Sequence, residues 1–521
     1  MAERRATAAP VVAAGILLSR ISGLVRQRVL AHFLGLTDAA DAFAAAFRIP
    51  NFLQNLFGEG VLSASFIPVY ARLESQGHRD EARRVAGAVA GLLAAVVAIL
   101  VALGVTTAPW LAAGLAPGFT GAKRELVIQL VRIVFPGTGL LVFSAWCLGI
   151  LNSHRRFLLS YAAPVAWNAA IVIAALLAPA GSGADRIVFW TAWGAVVGAL
   201  LQLGIQLPAV RRLAGPVRLS LDTTGPSIGT VLRNFFPAFI GRGVVQISAF
   251  VDEIIASLLP TGALAALANA QMLYTLPVSL FGMSVAAAEL PELAVDAGAG
   301  EDSEARLRQR VEAAMNQVAY FVVPSVVALA GLGHVIAAAV FQTGLFTRAD
   351  SLYVWGILAG SAVGLLATTL GRVYASAWYA LQDARTPLRF ALVRVGLTTG
   401  LGYVAAVYGP DWAGIPARWG VAGLTASAGL AGWAEFVMLR RSLDHRIGAT
   451  RLDPRYVVRL WLAALAAGGA AWAVLGTIGY RLPPVATALA VLLPYGMVYV
   501  AGTLALRVPL AVRWAGRILR K

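Results

Sequence analysis

Cysteine is nearly absent. Cys147 stands alone in 521 residues, so no intramolecular disulfide and no cysteine metal cluster can form. It lies in an apolar run and reads as a small buried hydrophobe. The five histidines are scattered, and HExxH, Walker A and GxGxxG contexts are missing, which argues against metal catalysis and ATP hydrolysis. Charge is scarce too, at 13% of residues against 59% hydrophobic. With a mean hydropathy of +0.75, that composition excludes a soluble globular chain and makes lipid the solvent for most of the surface. No Pro/Ser-rich linker or long polar segment interrupts the array, so no soluble catalytic domain is expected. Arg4 and Arg5 precede the first apolar stretch, but Ser19, Arg20 and Arg26 interrupt it and no clear small-residue cleavage site follows. A retained first helix is expected there, not a signal peptide.

What is present is a series of roughly 20-residue stretches rich in Ala, Gly, Leu and Val, joined by short charged loops. Helices are predicted near residues 8–34, 38–70, 85–112, 124–151, 159–180, 186–210, 228–258, 262–294, 309–341, 351–381, 386–408, 416–440, 455–478 and 482–508. The fold class is an all-α polytopic membrane protein with about fourteen spanning helices. The 53 glycines let helix backbones approach closely inside a bilayer, where hydrophobicity no longer drives helices together.

Basic residues alternate between loops. One set holds Arg72/Arg79/Arg83/Arg84, Arg155/Arg156, Arg211/Arg212/Arg218, Arg306/Arg308/Arg310, Arg385/Arg389 and Arg440/Arg441/Arg446/Arg451/Arg455. With both termini that set totals about 26 and the other about 6, which places the rich loops and both termini in the cytoplasm. An odd helix count would destroy the alternation. The net charge of +17 is therefore topological, and nucleic acid is not an expected partner.

The chain echoes itself. Leu56-Phe57-Gly58, followed by Val61, Ala64 and Pro68, recurs as Leu280-Phe281-Gly282, followed by Val285, Ala288 and Pro291. A second echo pairs Leu151-Asn152-Ser153-His154-Arg155-Arg156 with Leu381-Gln382-Asp383-Ala384-Arg385-Thr386-Pro387. Both spacings correspond to six helices, so the repeat keeps its orientation in the membrane. The expected organisation is two pseudo-symmetric six-helix lobes, residues 1–220 and 221–445, plus a C-terminal helix pair, residues 446–521.

Ionisable groups within a span cost about 2.5–3.5 kcal/mol each on insertion scales and persist mainly where they face a cavity or a partner. The first two stretches concentrate them. Ser19 and Arg26 share a helix face with Ser22 and Gly23, and Arg20 lies one position round. Asp41 and Arg48 share another face, followed by Ile49-Pro50-Asn51, Gln54 and Glu59. Pro50 lacks an N–H and frees a carbonyl, so a break is expected at Pro50-Asn51, in a bent helix lining a wet cavity. Pairing of Arg20 or Arg26 with Asp41 or Glu59 accounts for one pair, not for this density. Three arginines against two carboxylates give a net positive cavity suited to a phosphate-bearing ligand. Elsewhere Arg242 precedes Gln246, with Asp252 and Glu253 further along. Arg372 and Arg394 lie deep enough to face a cavity, and Glu435 suits a buried ion pair.

Several runs carry a resemblance: Ser19-Arg20-Ile21-Ser22-Gly23-Leu24-Val25-Arg26, Thr37-Asp38-Ala39-Ala40-Asp41-Ala42-Phe43, Phe47-Arg48-Ile49-Pro50-Asn51-Phe52-Leu53, Gly58-Glu59-Gly60 and Ser65-Phe66-Ile67-Pro68. They resemble the MurJ (MviN) family of lipid II flippases, within the multidrug/oligosaccharidyl-lipid/polysaccharide exporter superfamily. Ala116-Pro117-Gly118-Phe119, Phe341-Gln342-Thr343-Gly344-Leu345-Phe346-Thr347 and Gln382-Asp383-Ala384-Arg385-Thr386-Pro387 extend the likeness over nearly the whole chain. The resemblance implies a transporter and not an enzyme, with a helix pair behind the lobes associated with a groove for the lipid tail. It implies carriage of lipid II, the undecaprenyl-pyrophosphate disaccharide pentapeptide, across the bacterial cytoplasmic membrane by alternating access, with membrane lipids and the cell-wall synthesis machinery as partners and no cofactor. By the same resemblance, Ser19, Arg20, Arg26, Asp41, Arg48, Asn51 and Glu59 fall on functional cavity positions, and Arg372 matches a basic residue of the tenth helix. The chain departs at Gln54, where many members carry arginine, and at Gln271-Met272, where others carry Asp-Arg. Arg242 is a positional substitute for that missing arginine. The rival within the superfamily exports another polyprenyl-linked glycan or drugs. A membrane glycosyltransferase needs an acidic residue in a large outer loop, and the outer loops here are short.

Overall fold

The structure, a computed structural model, describes residues 8–179, 181–283 and 303–518. Among the described residues all regular structure is helical, and the one bridge-like pairing is Thr343 with Phe346. In chain order the helices are α1 (Ala8–Leu34), α2 (Asp38–Gln54), the π-helical segment π1 (Asn55–Leu62), α3 (Ser63–Ser75), α4 (Arg79–Thr106), α5 (Ala108–Leu115) and α6 (Gly121–Ser153). They continue as α7 (Phe157–Leu176), α8 (Ala184–Ala214), α9 (Pro226–Ser257), α10 (Ala263–Pro277), π2 (Val278–Met283), α11 (Ser303–Phe341) and α12 (Arg348–Ala380). The remainder are α13 (Arg385–Val407), α14 (Gly409–Ala413), a 3₁₀ turn (Ala417–Trp419), α15 (Gly420–Ile447), α16 (Pro454–Ile478), α17 (Pro484–Ala505) and α18 (Pro509–Ile518).

Each of the fourteen predicted stretches is mostly helical where it is described. Eleven described helices are long and apolar enough to cross a membrane, which makes this a multi-pass membrane protein. The other three stretches, α1, α2 to α3, and α9, carry Arg20, Arg26, Asp41, Arg48 and Arg242. Two local expectations need correction. The helix continues through Pro50, and the irregularity begins at Asn55 as π-helix, where one wide turn absorbs an extra residue. The third stretch ends at Thr106, and a separate short helix, α5, begins with a proline in its first turn.

Both echoes take structural form. Leu56-Phe57-Gly58 and Leu280-Phe281-Gly282 each lie in a π-helical segment, the first in π1 and the second in π2. After α6 and α12, helices of 33 residues each, the chain turns through a left-handed residue that is not glycine, Arg155 in one case and Gln382 in the other, both at φ 59°. The closing hydrogen bonds match as well: Arg156 N–H donates to the Leu151 carbonyl as Asp383 N–H donates to that of Trp378. These matches place Arg155 opposite Gln382 and Leu151 opposite Trp378, three residues from the register read in the sequence, because the turn geometry and not the Leu-Asn/Leu-Gln dipeptide is what repeats.

By proximity the chain forms two compact units, residues 1–265 with 343–346, and residues 266–342 with 347–521. In the first, α4 and α6 are centred on Val89, Leu93, Trp146, Cys147 and Ile150, and Cys147 is fully buried. Ser144 on α6 donates to Gln206 Oε1 and accepts from Gln202 Nε2 on α8, a hydrogen-bonded trio that ties the two helices together inside the bundle. In the second unit, α11 is clasped by α16 and α17. Pro324 has no N–H for the Tyr320 carbonyl one turn earlier, and the Tyr499 hydroxyl supplies the donor at 2.5 Å. Tyr495 donates to the Pro324 carbonyl and Tyr456 to that of Asn316.

Candidate substrate site

Arg26 is the best-organised cation of the first unit. Its Nη1 donates to Asn168 Oδ1 at 3.0 Å, and its guanidinium lies 5.0 Å from the centroid of the Trp167 ring. Asn168 is buried, and its Nδ2 donates to Ser22 Oγ at 2.8 Å, which in turn donates to the Ser19 carbonyl. The chain Arg26–Asn168–Ser22–Ser19 thus ties α1 to α7 and fixes the plane of the guanidinium. The Arg26 Nε–H is buried and has no partner among the described residues.

Arg48 forms an ion pair with Glu253 of α9 at 2.7 Å and lies over Phe250. Asp41 is 1% exposed. Among the described residues Asp41 pairs with neither Arg20 nor Arg26, the pairing weighed from the sequence: Lys123, at the start of α6, reaches its Oδ2 at 2.6 Å and also pairs with Asp38 at 2.9 Å. Asp41 further accepts the backbone N–H groups of Gly262 and Ala265, both at 2.8 Å, so it caps the N-terminus of α10 from a different part of the chain. Thr261 donates to Asp38 beside it. At the same end of the unit, Leu345 N–H donates to the His32 carbonyl, and His32 Nδ1 lies 2.9 Å from Thr343 Oγ1.

Of the remaining predicted residues in this unit, Ser19 and Gln54 are half-buried, and Arg20 and Asn51 are exposed. The side chains of Glu59 and Arg242 lie outside the described residues. Asn168, Trp167, Lys123 and Glu253 were not singled out as site residues by sequence. An Asn within an apolar span was the available signal for Asn168. Lys123 sits at a helix edge and reads as a loop cation.

In the second unit Arg372 on α12 is exposed and interacts electrostatically with Tyr274 of α10, Arg394 of α13 and Glu435 of α15. Arg394 Nε lies 3.2 Å from Glu435 Oε2, so the ion pair that Glu435 suggested forms but is half-buried, not buried, and Tyr274 interacts with Thr368.

Comparison with known proteins agrees with this architecture. The sequence pattern of the family described as "Lipid II flippase MurJ" matches residues 30–492. The chain is 30% identical to the "Probable lipid II flippase MurJ" of Haemophilus influenzae over 88% of this chain and 90% of that protein. It is 29% identical to the "Lipid II flippase MurJ" of Burkholderia cenocepacia, covering 87% of both. Among solved structures it resembles a lipid II flippase MurJ in an inward closed conformation, with a TM-score of 0.78 at 21% identity over 95% of this chain and 98% of that one. An inward-facing multidrug transporter of the MATE family shares the fold at a TM-score of 0.65 and 17% identity, over 82% of this chain and 95% of that one. With a match that spans most of its length, this chain belongs to the lipid II flippase MurJ family.

Proposed function

We propose that this protein carries lipid II from the inner to the outer leaflet of the bacterial cytoplasmic membrane by alternating access, with both termini in the cytoplasm. The physical problem is a diphosphate and sugar-peptide head that cannot enter hydrocarbon, joined to a tail that prefers to stay there. The observation that carries the reading is Arg26. Asn168 and Trp167 orient its guanidinium, Nε–H has no partner among the described residues, and a phosphate oxygen completes that donor set. Arg20, exposed on the same helix, supplies further positive charge. We assign Ser19, Asn51, Gln54, Glu59 and Arg242 to the same head-group path from their sequence positions.

In this reading residues 1–220 and 221–445 are lobes that rock against each other, and residues 446–521 serve the lipid tail. Asp41 and Arg48 then act as latches. The positive-inside pattern assigns the Asp41–Gly262–Ala265 cap to the outer side, where it breaks when that side opens and Lys123 keeps company with the released carboxylate. Translocation makes and breaks no covalent bond, so no cofactor is needed. Membrane potential or an ion gradient supplies the drive, and the outer-leaflet product passes to the cell-wall synthesis machinery.

The test is complementation in a bacterium whose own lipid II flippase is switched off, scoring growth and outer-leaflet lipid II, with wild type beside Arg20→Ala and Arg26→Ala. Rescue by wild type and loss in both well-expressed variants is expected. An inserted wild-type protein that exposes no lipid II overturns the reading and turns attention, through Gln54 and Gln271-Met272, to another polyprenyl-linked glycan.

A further inference from the structure

Arg372, Arg394, Glu435, Tyr274 and Thr368 come from four helices and form a polar cluster within the second unit. Arg372, Arg394 and Glu435 lie roughly 12–18 Å in from the ends of α12, α13 and α15 that the arginine-rich loops assign to the cytoplasm. Such a group is costly in a span unless something uses it. Its members are unequal. Glu435 neutralises Arg394, with side chains 19% and 33% exposed, whereas Arg372 is the exposed cation of the group. Two guanidiniums against one carboxylate leave one net positive charge, with the Tyr274 and Thr368 hydroxyls as neutral partners beside it.

We propose that this cluster is a carboxylate subsite, at which Arg372 receives a free carboxylate of the head group's peptide. This rests on lipid II being the cargo. A diphosphate carries more charge than the cluster's single net positive charge balances, and Arg20 and Arg26 of the first unit suit it better. A carboxylate is a planar monoanion that guanidinium binds through two parallel N–H···O bonds, so both its charge and its shape fit Arg372. The Arg394–Glu435 pair holds Arg394 back from the ligand and, through Glu435, limits the cluster to one added anion. Arg372 is thereby a specificity determinant for the peptide end of the substrate, separate from the diphosphate.

The experiment compares the affinity of purified full-length protein for lipid II, for lipid II with its peptide carboxylates amidated, and for undecaprenyl diphosphate without sugar or peptide. Arg372→Gln is expected to weaken lipid II binding by about tenfold and to leave the amidated and bare diphosphate lipids within about twofold, with Arg372→Lys intermediate. Tyr274→Phe, which keeps the ring, is expected to act in the same direction to a smaller extent. If Arg372→Gln weakens all three lipids alike, or none, the subsite is overturned and the flippase reading stands. If wild type binds none of the three while folded in detergent, the cargo assignment itself falls, and the subsite with it.

Discussion

The Tyr499 hydroxyl sits 2.5 Å from the carbonyl of Tyr320, the one that Pro324 leaves without its helical N–H. A proline in a spanning helix frees an acceptor that lipid cannot satisfy, and here a neighbouring helix answers it. Tyr499→Phe is expected to destabilise the protein by about 1–3 kcal/mol, because a buried acceptor loses its donor. Tyr495→Phe is expected to cost less, since the Pro324 carbonyl that it serves can also be reached by the helix's own N–H groups. Thermal denaturation in detergent checks the order, and equal shifts for the two variants would contradict the proline argument.

The fold was largely legible because hydropathy and loop charge report membrane geometry directly. α6 and α12 announced themselves by apolar length, and the repeated Leu-Phe-Gly pointed to a feature that proved to be π1 and π2. The short helices α5, α14 and α18 were not legible, since a few residues of helix leave no periodic signal. The site was legible on the side of its cations. Arg26 and Arg48 stand out in apolar stretches, but their partners depend on which helices pack together. Nothing in the spacing of Asp41 names Lys123, 82 positions away, or the N–H groups of Gly262 and Ala265.

Lys123 carries the next prediction. It is the one side-chain cation paired with Asp41 among the described residues, and Asp41 is almost wholly buried. Lys123→Met leaves that carboxylate with backbone donors alone and is expected to cost about 3–5 kcal/mol, the usual penalty for breaking a buried pair on one side. Lys123→Met with Asp41→Asn removes the stranded charge, and the double variant is expected to be more stable than Lys123→Met alone. Melting temperatures of the four proteins give the coupling, and strictly additive effects would show that the pair does not act as a unit.

Asn168 is expected to act through Arg26. Asn168→Ala removes both the acceptor for Nη1 and the donor to Ser22, so the guanidinium loses its fixed plane while keeping its charge. Affinity for undecaprenyl diphosphate is expected to fall by about tenfold, the scale of one charged-group hydrogen bond. Arg26→Lys is expected to fall at least as far, because an ammonium cannot hold Asn168, stack on Trp167 and bind phosphate together. Binding isotherms on the two variants decide this, and an Asn168→Ala protein with unchanged affinity would reduce Asn168 to a packing residue.

The loop between α8 and α9, residues 215–225, is tied down along its length. It lies along α4, where Ser220 N–H donates to the Gly87 carbonyl at 3.2 Å and Ser227 Oγ donates to Glu81 at 2.5 Å. A Cβ on Gly91 would collide with the backbone of Ser220, so this stretch of α4 is a track that only glycine leaves open. The loop also holds its own turn: the Thr224 hydroxyl and N–H donate to Asp222 and keep its carboxyl below the usual carboxylate range. A depressed folded value means that this support is complete above the unfolded carboxylate pKa of about 3.9 and fades only as pH falls further, so the loop is expected to keep its shape at neutral pH. Gly91→Val lifts the loop without touching any charge, and trypsin cleavage after Arg218 is expected to accelerate several-fold at neutral pH. Wild-type cleavage rates in Gly91→Val would mean that the loop is held by its ends alone, through Glu81 and Ser227, and not by the glycine track.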